Sequence, residues 1–411
     1  MEREAVIAAI DVGTSKVVAL IAEISTDGGL SIIGKGAPAS SGLKKGVVVN
    51  IDQTVASIAS ALEQAERTSG VRIESAFVAV GGSHIESLNS HGAVAVSGHE
   101  KEVSREDEER AIDVARAVSI PSNREILDVI TRGYTVDGQE GVKDPIGMSA
   151  TRLEVDAHIV TGSVSAIQNL AKCVGQAGIR IEQKVPSPLA AAEAVLTDTE
   201  RDLGVAVVDV GAGTTSLALY MDGWPFHTAV LPIGGNNVTN DLMIGLKTSL
   251  QVAEDVKVQH GCADLRAVTP EELITVSVFG EDEGRTVQRA EACDIIEARM
   301  RELFEKLGEQ ISAAGKGGIL PAGLVLTGGG AQLAGVAELG REVLQMPVRV
   351  AAPVGVGGLV DHLLTPAFST SIGLLRLWER EFRQGEPGRY ESAPAGGAVG
   401  KLRDWVRNLF P

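Results

Sequence analysis

Ala9-Ile10-Asp11-Val12-Gly13-Thr14-Ser15-Lys16-Val17-Val18-Ala19-Leu20 returns half a chain later as Val208-Asp209-Val210-Gly211-Ala212-Gly213-Thr214-Thr215-Ser216-Leu217-Ala218-Leu219. Each stretch reads as strand, tight turn, strand: an apolar run is interrupted by glycine and small hydroxyl residues and then resumes. One copy per half predicts two similar lobes facing a shared ligand. A turn of this kind directs successive backbone N–H groups inward as an anion-binding nest, with glycine permitting close approach. Gly13, Thr14, Ser15 and Lys16 in the first turn, and Gly211, Gly213, Thr214 and Thr215 in the second, are the candidate phosphate-binding residues. Asp11 and Asp209 close the preceding strands. Carboxylates there repel phosphate but suit the water shell of a bridging Mg²⁺, and the two are expected to face each other across the cleft.

A third element, Gly323-Leu324-Val325-Leu326-Thr327-Gly328-Gly329-Gly330-Ala331-Gln332-Leu333, reads as a buried strand running into glycines and then a helix. Leu333 breaks the dinucleotide fingerprint and no GxxxxGK[ST] occurs, so the Rossmann and P-loop readings both fail. Together with Ile233-Gly234-Gly235-Asn236-Asn237 and Ala367-Phe368-Ser369-Thr370-Ser371-Ile372-Gly373-Leu374, the three elements resemble the nucleotide-binding elements of the actin, sugar-kinase and heat-shock chaperone superfamily. The fold implied is α/β, with two lobes around a nucleotide cleft. ATP with Mg²⁺ is the implied ligand, and Gly234, Gly235, Asn236, Gly328, Gly329 and Gly330 join the site.

Composition agrees. The 411 residues, 44% hydrophobic but only 3% aromatic, suit α/β layers and offer no stacking platform for nucleic acid. A formal charge of −17 repels polyanions, so contact with anionic lipid requires a local basic patch. Three cysteines without CxxC spacing imply no disulfide framework. The apolar run from Ala5 to Ile10 is too short for a signal-peptide core, and nowhere do the roughly 18 apolar residues of a spanning helix occur together. The bulk of the chain is expected in the cytoplasm.

Gly42-Leu43-Lys44-Lys45-Gly46-Val47-Val48-Val49-Asn50-Ile51 and Ala76-Phe77-Val78-Ala79-Val80-Gly81-Gly82 are similar to the segments leading into the small inserted α+β subdomain of the FtsA family of bacterial cell-division proteins. The segment from Val238 to Ala263 resembles that family too, and implies that Glu254 and Lys257 flank the adenosine. The resemblance divides the chain into a first lobe core (1–84 with 166–204), the insert (85–165), a second lobe core (205–232 with 322–383) and a smaller subdomain (233–321). Within the insert, Ser104 and Asp107 predict a capping box opening a helix to about Val118. Leu153, Val155, Ala157 and Ile159 predict a half-buried strand, and Ser163 is expected to cap a helix ended by Gly178. Two departures bear on chemistry. Asn236 stands where the family commonly has Asp, and Ser187 stands where the related filament protein MreB carries a Glu suited to orienting water. Serine is a poor base at neutral pH, so hydrolysis is expected to be slow or absent.

Residues 384–398 have linker composition. On a helical wheel, 399–411 places Val399, Leu402, Trp405, Val406, Leu409 and Phe410 within an arc of roughly 140°, with Lys401, Arg403, Asp404, Arg407 and Asn408 beside it. Such a segment suits an interfacial helix attracted to anionic lipid. One copy binds weakly, so stable attachment calls for an assembly of copies. The resemblance implies an adaptor that anchors FtsZ polymers to the inner face of the cell inner membrane at midcell, forms actin-like filaments and recruits later division proteins through the insert. The C-terminal peptide of FtsZ would meet Arg285, Arg289, Arg299 and Arg301. Three other readings compete. A small-molecule kinase would need a carboxylate base between the lobes. A chaperone would need a further domain after residue 380, and a cytoplasmic pilus-assembly protein of the PilM type would lack the C-terminal segment.

Overall fold

The two repeated stretches fold as hairpins. Ala5–Val12 pairs antiparallel with Val17–Ile24, setting Asp11 opposite Val18, and Val205–Val210 pairs with Thr215–Met221, setting Asp209 opposite Ser216. The computed structural model describes residues 5–24, 29–97, 101–280, 284–315 and 320–384. Each hairpin carries a third antiparallel strand on one side, Leu30–Gly36 in the first lobe and Trp224–Leu231 in the second. On its other side each gains two parallel strands. These are Ser75–Val80 and Arg180–Pro186 in the first lobe, and Leu324–Thr327 and Val348–Val350 in the second. The order of these five strands is therefore the same in both sheets, and the sequence repeat is a repeat of topology; the first sheet adds the short strand Gly357–Gly358 beside Leu30–Gly36.

Both faces of each sheet are covered. In the first lobe Ala8, Ile10, Ala19 and Ile21 pack against Ile58, Ala61, Leu62 and Ala65 of the helix Ile51–Ser69. That helix starts because the Asn50 side chain accepts from the Gln53 N–H, and it ends at Gly70, whose φ of 71° is a left-handed cap. The opposite face packs Ala9, Val18 and Leu20 against Ile372 and Leu375 of the helix Ser369–Gln384. The short helix Ser187–Val195 is buried along nearly its whole length and touches strands of both sheets. A helix apolar all round belongs inside a core. It packs on Ser369–Gln384 so closely that a Cβ added to Gly373 would lie 1.7 Å from the Ala190 carbonyl oxygen.

The insert is a four-stranded antiparallel sheet in the order Glu86–Ala95, Arg152–Ser163, Arg124–Val136, Gln139–Val142, crossed by the helix Arg105–Arg116. The capping box is present. The Ser104 hydroxyl accepts from the Asp107 N–H at 3.2 Å, and Asp107 Oδ2 accepts from the Ser104 N–H at 3.0 Å. Burial alone would raise the Asp107 carboxyl, but hydrogen bonds from Ser104, Ser97 and Arg110 outweigh it and hold the group well below the usual range. Leu153, Val155, Ala157 and Ile159 are buried as the alternation predicts. The capping-box helix runs to Arg116 with Ala117 at its C-cap, close to the expected end near Val118. One expectation is corrected: Ser163, although it stands at the N-cap of Val164–Gln176, turns its hydroxyl to Ser165 at 3.1 Å and makes no capping bond.

Edge strands tie the insert to the second lobe. The Ser87 hydroxyl donates to the Thr228 carbonyl at 2.8 Å, Asn89 Nδ2 to the Phe226 carbonyl at 3.0 Å, and His158 Nε2 lies 2.9 Å from the Thr228 hydroxyl. Residues beyond Gln384, which include nearly all of the expected linker and the whole segment 399–411, lie outside the described residues. Among the described residues no helix is long and apolar enough to cross a membrane.

Replacing a mid-helix glycine by alanine ordinarily stabilises by about 0.5–1 kcal/mol. Gly175→Ala, in the last turn of Val164–Gln176 with no atom within 4 Å of the added methyl, should stabilise at the low end of that range. Gly373→Ala should instead cost ~1–3 kcal/mol as overpacking forces the two helices apart. Urea unfolding of both variants checks the contrast.

Candidate functional site

The two hairpin turns approach each other at the mouth of a cleft of about 740 Å³, within the ~300–1,000 Å³ typical of cofactor sites. The turns are built alike. Gly13 N–H donates to the Lys16 carbonyl at 3.1 Å, and Gly211 N–H to the Thr214 carbonyl at 2.9 Å. Between those anchors, the backbone N–H groups of Thr14, Ser15, Ala212 and Gly213 find no acceptor among the described residues. A Cβ on Gly213 would lie 2.7 Å from Thr14 Oγ1, so the turns of the two lobes touch.

Asp11 and Asp209 both line the cleft. Burial raises the Asp11 carboxyl from 3.8 to about 7, the Asp209 charge adds to the rise, and Lys16 opposes it. Asp209 is also raised by burial, against the pull of the Thr370 hydroxyl, which donates to Oδ2 at 2.7 Å, and of Lys16. Gly328 is required at its place. Its φ is +84°, and a Cβ there would fall 2.2 Å from Asp209 Oδ1. The Lys16 ammonium stands 3.3 Å from the centroid of the Phe368 ring, and burial lowers it to about 8 although Asp11 favours its charge.

Of the sequence candidates, Gly13, Thr14, Ser15, Lys16, Gly211, Gly213, Thr214, Gly235, Asn236, Glu254, Lys257, Gly328, Gly329 and Gly330 line this cleft. Thr215 and Gly234 do not. Thr215 is buried and donates to the Ile233 carbonyl at 2.9 Å, while Gly234 lies against the Gly211 and Ala212 carbonyls, which leave no room for a side chain. Both hold the smaller subdomain against the second turn. The same clamp uses the N–H groups of Gly235 and Asn236, which donate to the Gly211 and Ala212 carbonyls. Glu254 and Lys257 form a closed triad with Thr239: Lys257 Nζ donates to Glu254 at 2.7 Å and to Thr239 Oγ1 at 2.9 Å, and Thr239 donates to Glu254 at 2.6 Å.

The four arginines assigned to a partner peptide do not share one free face. Arg289 lines the cleft, with Nε donating to the His260 carbonyl and Nη1 to Glu272, each at 2.7 Å. Arg299 forks onto Asp241 at 2.5 and 3.0 Å and also pairs with Glu302, while Arg301 bridges Glu297 and Glu342 at 2.9 Å each. Arg285 stands exposed at the start of the strand Arg285–Gln288 and enters no ion pair among the described residues. Thr370 and Thr239 lie in segments whose sequence resembles the family's, but neither is singled out there as a site residue. A hydroxyl-rich helix start at Ser369-Thr370-Ser371 was the available signal for the first, but its aim at Asp209, 161 residues away, exists only in the fold.

Comparison with known proteins places this geometry. The family model described as Cell division protein FtsA matches residues 206–373, and one described as the SHS2 domain inserted in FtsA matches 82–161. The chain is 42% identical over 410 residues to Cell division protein FtsA of Pseudomonas aeruginosa, covering 98% of each chain. It is 36% identical to that of Escherichia coli K12, covering 98% of this chain and 97% of the other. Among solved structures, the PilM-PilN type IV pilus biogenesis complex matches with a TM-score of 0.64 at 18% identity, over 92% of this chain and 99% of the other. MreB5 of Spiroplasma citri bound to ADP matches at 0.53 and 14%, over 92% and 98%. Likeness at that identity establishes the actin-like fold.

A carboxyl raised on folding holds its proton more tightly in the native state. The stability it adds is complete below pH 3.8 and is lost as pH rises through about 7. Asp11→Asn, which cannot ionise, should therefore gain in melting temperature over the natural chain as pH goes from about 4.5 to about 7.5 in metal-free buffer. A pH-independent difference would show that Asp11 is not raised.

Proposed function

The chain belongs to the FtsA family of actin-like cell division proteins, and from that premise we propose that it binds ATP between its lobes and tethers FtsZ polymers to the inner face of the cell inner membrane. One observation carries the nucleotide reading: unpaired backbone donors from both lobes converge beside Asp11 and Asp209. Backbone N–H groups and a lysine suit phosphate oxygens, and two facing carboxylates suit the water shell of Mg²⁺. The residues present therefore fit Mg²⁺ with ATP. When bound, that pair would supply a polyanion gripped from both sides and a cation relieving the repulsion between the carboxylates.

Ser187 lines the cleft at the start of the helix Ser187–Val195 and brings no carboxylate with it. Hydrolysis is accordingly slow or absent, and ATP serves to hold the lobes in one arrangement. Arg285 is the accessible member of the expected docking set for the FtsZ C-terminal peptide. Arg299 and Arg301 would have to exchange internal carboxylates for the peptide's, and Arg289 contributes from the cleft wall. Self-association into filaments would supply the multivalency that a weak anchor at 399–411 requires, and the insert would receive later division proteins. The PilM-type alternative shares the fold at 18% identity, against 42% identity across 98% of the chain for the Pseudomonas aeruginosa FtsA relative.

Sedimentation with anionic liposomes tests the tether, using the full chain and a version ending at Ala398, each with and without FtsZ and ATP. Only the full chain should pellet and carry FtsZ with it; equal behaviour of the two would remove 399–411 as the anchor. In the cleft, Asp209→Ala should weaken Mg²⁺-dependent binding of fluorescent ATP by about tenfold or more, the equivalent of ~1.4 kcal/mol. Unchanged affinity would displace the carboxylate pair from the site.

A further inference from the structure

A second cavity of about 680 Å³ opens where the insert, both lobes and the helix Ser369–Gln384 meet, and it shares no lining residue with the first. Its wall includes Asp128, Gln183, Trp224, Arg376 and Glu381. The guanidiniums there are engaged. Arg201 and Arg380 both donate to Glu193, at 3.0 and 2.7 Å, and Arg376 donates to the Val354 carbonyl at 2.6 Å.

Two carboxylates are left over. Asp128 and Glu381 are 8% and 6% exposed, and among the described residues neither enters an ion pair. Among the described residues Glu381 Oε1 has no hydrogen-bond partner, while the Gln183 side chain bonds the same carboxyl. Burial pushes both groups up, Asp128 to about 8 with the Glu381 charge adding to the rise. The charges of Arg116 on Asp128 and of Arg380 on Glu381 oppose that rise without cancelling it. A buried carboxylate outside an ion pair is costly, and Glu193 beside them shows the paired alternative. The cavity is short of positive charge and open enough to admit it.

The chain itself supplies a candidate cation. Glu381 lies three residues before Gln384, where the described chain ends, and the sequence runs on to residue 411 with Lys401, Arg403 and Arg407 beside Trp405. At ~3.3 Å per residue, residues 385–398 span up to roughly 45 Å, so the segment can return to its own core. Apolar surface waits for it: Val354 is 64% exposed, and Phe382, 50% exposed, stacks on Trp378 at 5.0 Å.

We propose that this cavity docks the chain's own C-terminal segment, with Arg403 or Arg407 seated between Asp128 and Glu381 and the neighbouring apolar side chains laid on the rim. A guanidinium fork is the side chain suited to two carboxylates at once. Docked, the segment is withheld from lipid; released, it is free to bind. Only this consequence rests on the tether reading.

Hydrogen exchange on the full chain without lipid tests the docking. Amides of 399–411 should exchange about tenfold or more slowly than an unstructured chain. That protection should vanish in Asp128→Asn with Glu381→Gln, and equally in Lys401→Gln with Arg403→Gln and Arg407→Gln, which leaves every core residue in place. Segments 124–136 and 376–384 should exchange faster in both. A tail exchanging as an unstructured chain overturns the proposal whether or not the protein pellets with anionic vesicles. So does tail protection that survives both sets of substitutions, or protection of 376–384 that appears only on adding spermidine, which would assign the cavity to free amines. With docking observed, the core variant should pellet at severalfold lower lipid than the natural chain. A protected tail in a protein that never pellets would retain the docking and remove the tether.

Discussion

Asp11 and Asp209 enter one cleft from two hairpins, and the burial of two carboxylates together, with the charge of Asp209 adding to the rise of Asp11, is the constraint around which the surrounding residues are arranged. Lys16 offsets both charges, and Phe368 holds that ammonium at the cleft wall. Thr370 donates to one carboxylate, and glycine at 328 leaves the same carboxylate its space. Repulsion of this kind persists in a native state only when the rest of the structure over-determines the geometry. Here the duplicated sheets do so, because each aspartate is fixed by antiparallel pairing on one side and parallel pairing on the other.

Two lobes that meet only at a charged cleft would drift, and the molecule resists this both behind the cleft and at its side. Behind the cleft, the buried helix Ser187–Val195 is clasped by Ser369–Gln384 with only a glycine hydrogen between backbones. At the side, the insert is fastened to the second lobe by the bonds among Ser87, Asn89, His158, Phe226 and Thr228. Buried polar pairs of this sort add orientation to packing, since each is satisfied only in one register. The insert thereby belongs mechanically to both lobes, although its chain leaves and rejoins the first.

The helix Ser187–Val195 also relates the two cavities. Ser187 lines the cleft that fits a nucleotide, while Leu189 and Glu193 line the cavity beside the C-terminal helix. Ser187 and Leu189, two positions apart, face a site suited to phosphate and one short of a cation, on an element too tightly packed to bend freely. A shift of that helix would be felt at both ends.

The fold was readable from the chain because its determinants are local. A two-residue alternation, a turn rich in glycine and hydroxyls, and a capping box each depend on residues within a few positions of one another, and their duplication revealed two lobes. Most of the cleft followed, since the residues of a turn travel together. What the chain alone left open were side-chain directions and partners distant in sequence. Thr215 and Gly234 belong to a turn and a glycine pair that do face the cleft, yet packing aims one at Ile233 and presses the other on Gly211 and Ala212. Arg289 looked like one of a basic set, and tertiary structure turned it into the cleft wall. Thr370 beside Asp209, and Asp128 beside Glu381, join segments 161 and 253 residues apart. Periodicity along a chain reports which residues are buried together; which polar groups meet, and which are left without a partner, is decided only when the layers close.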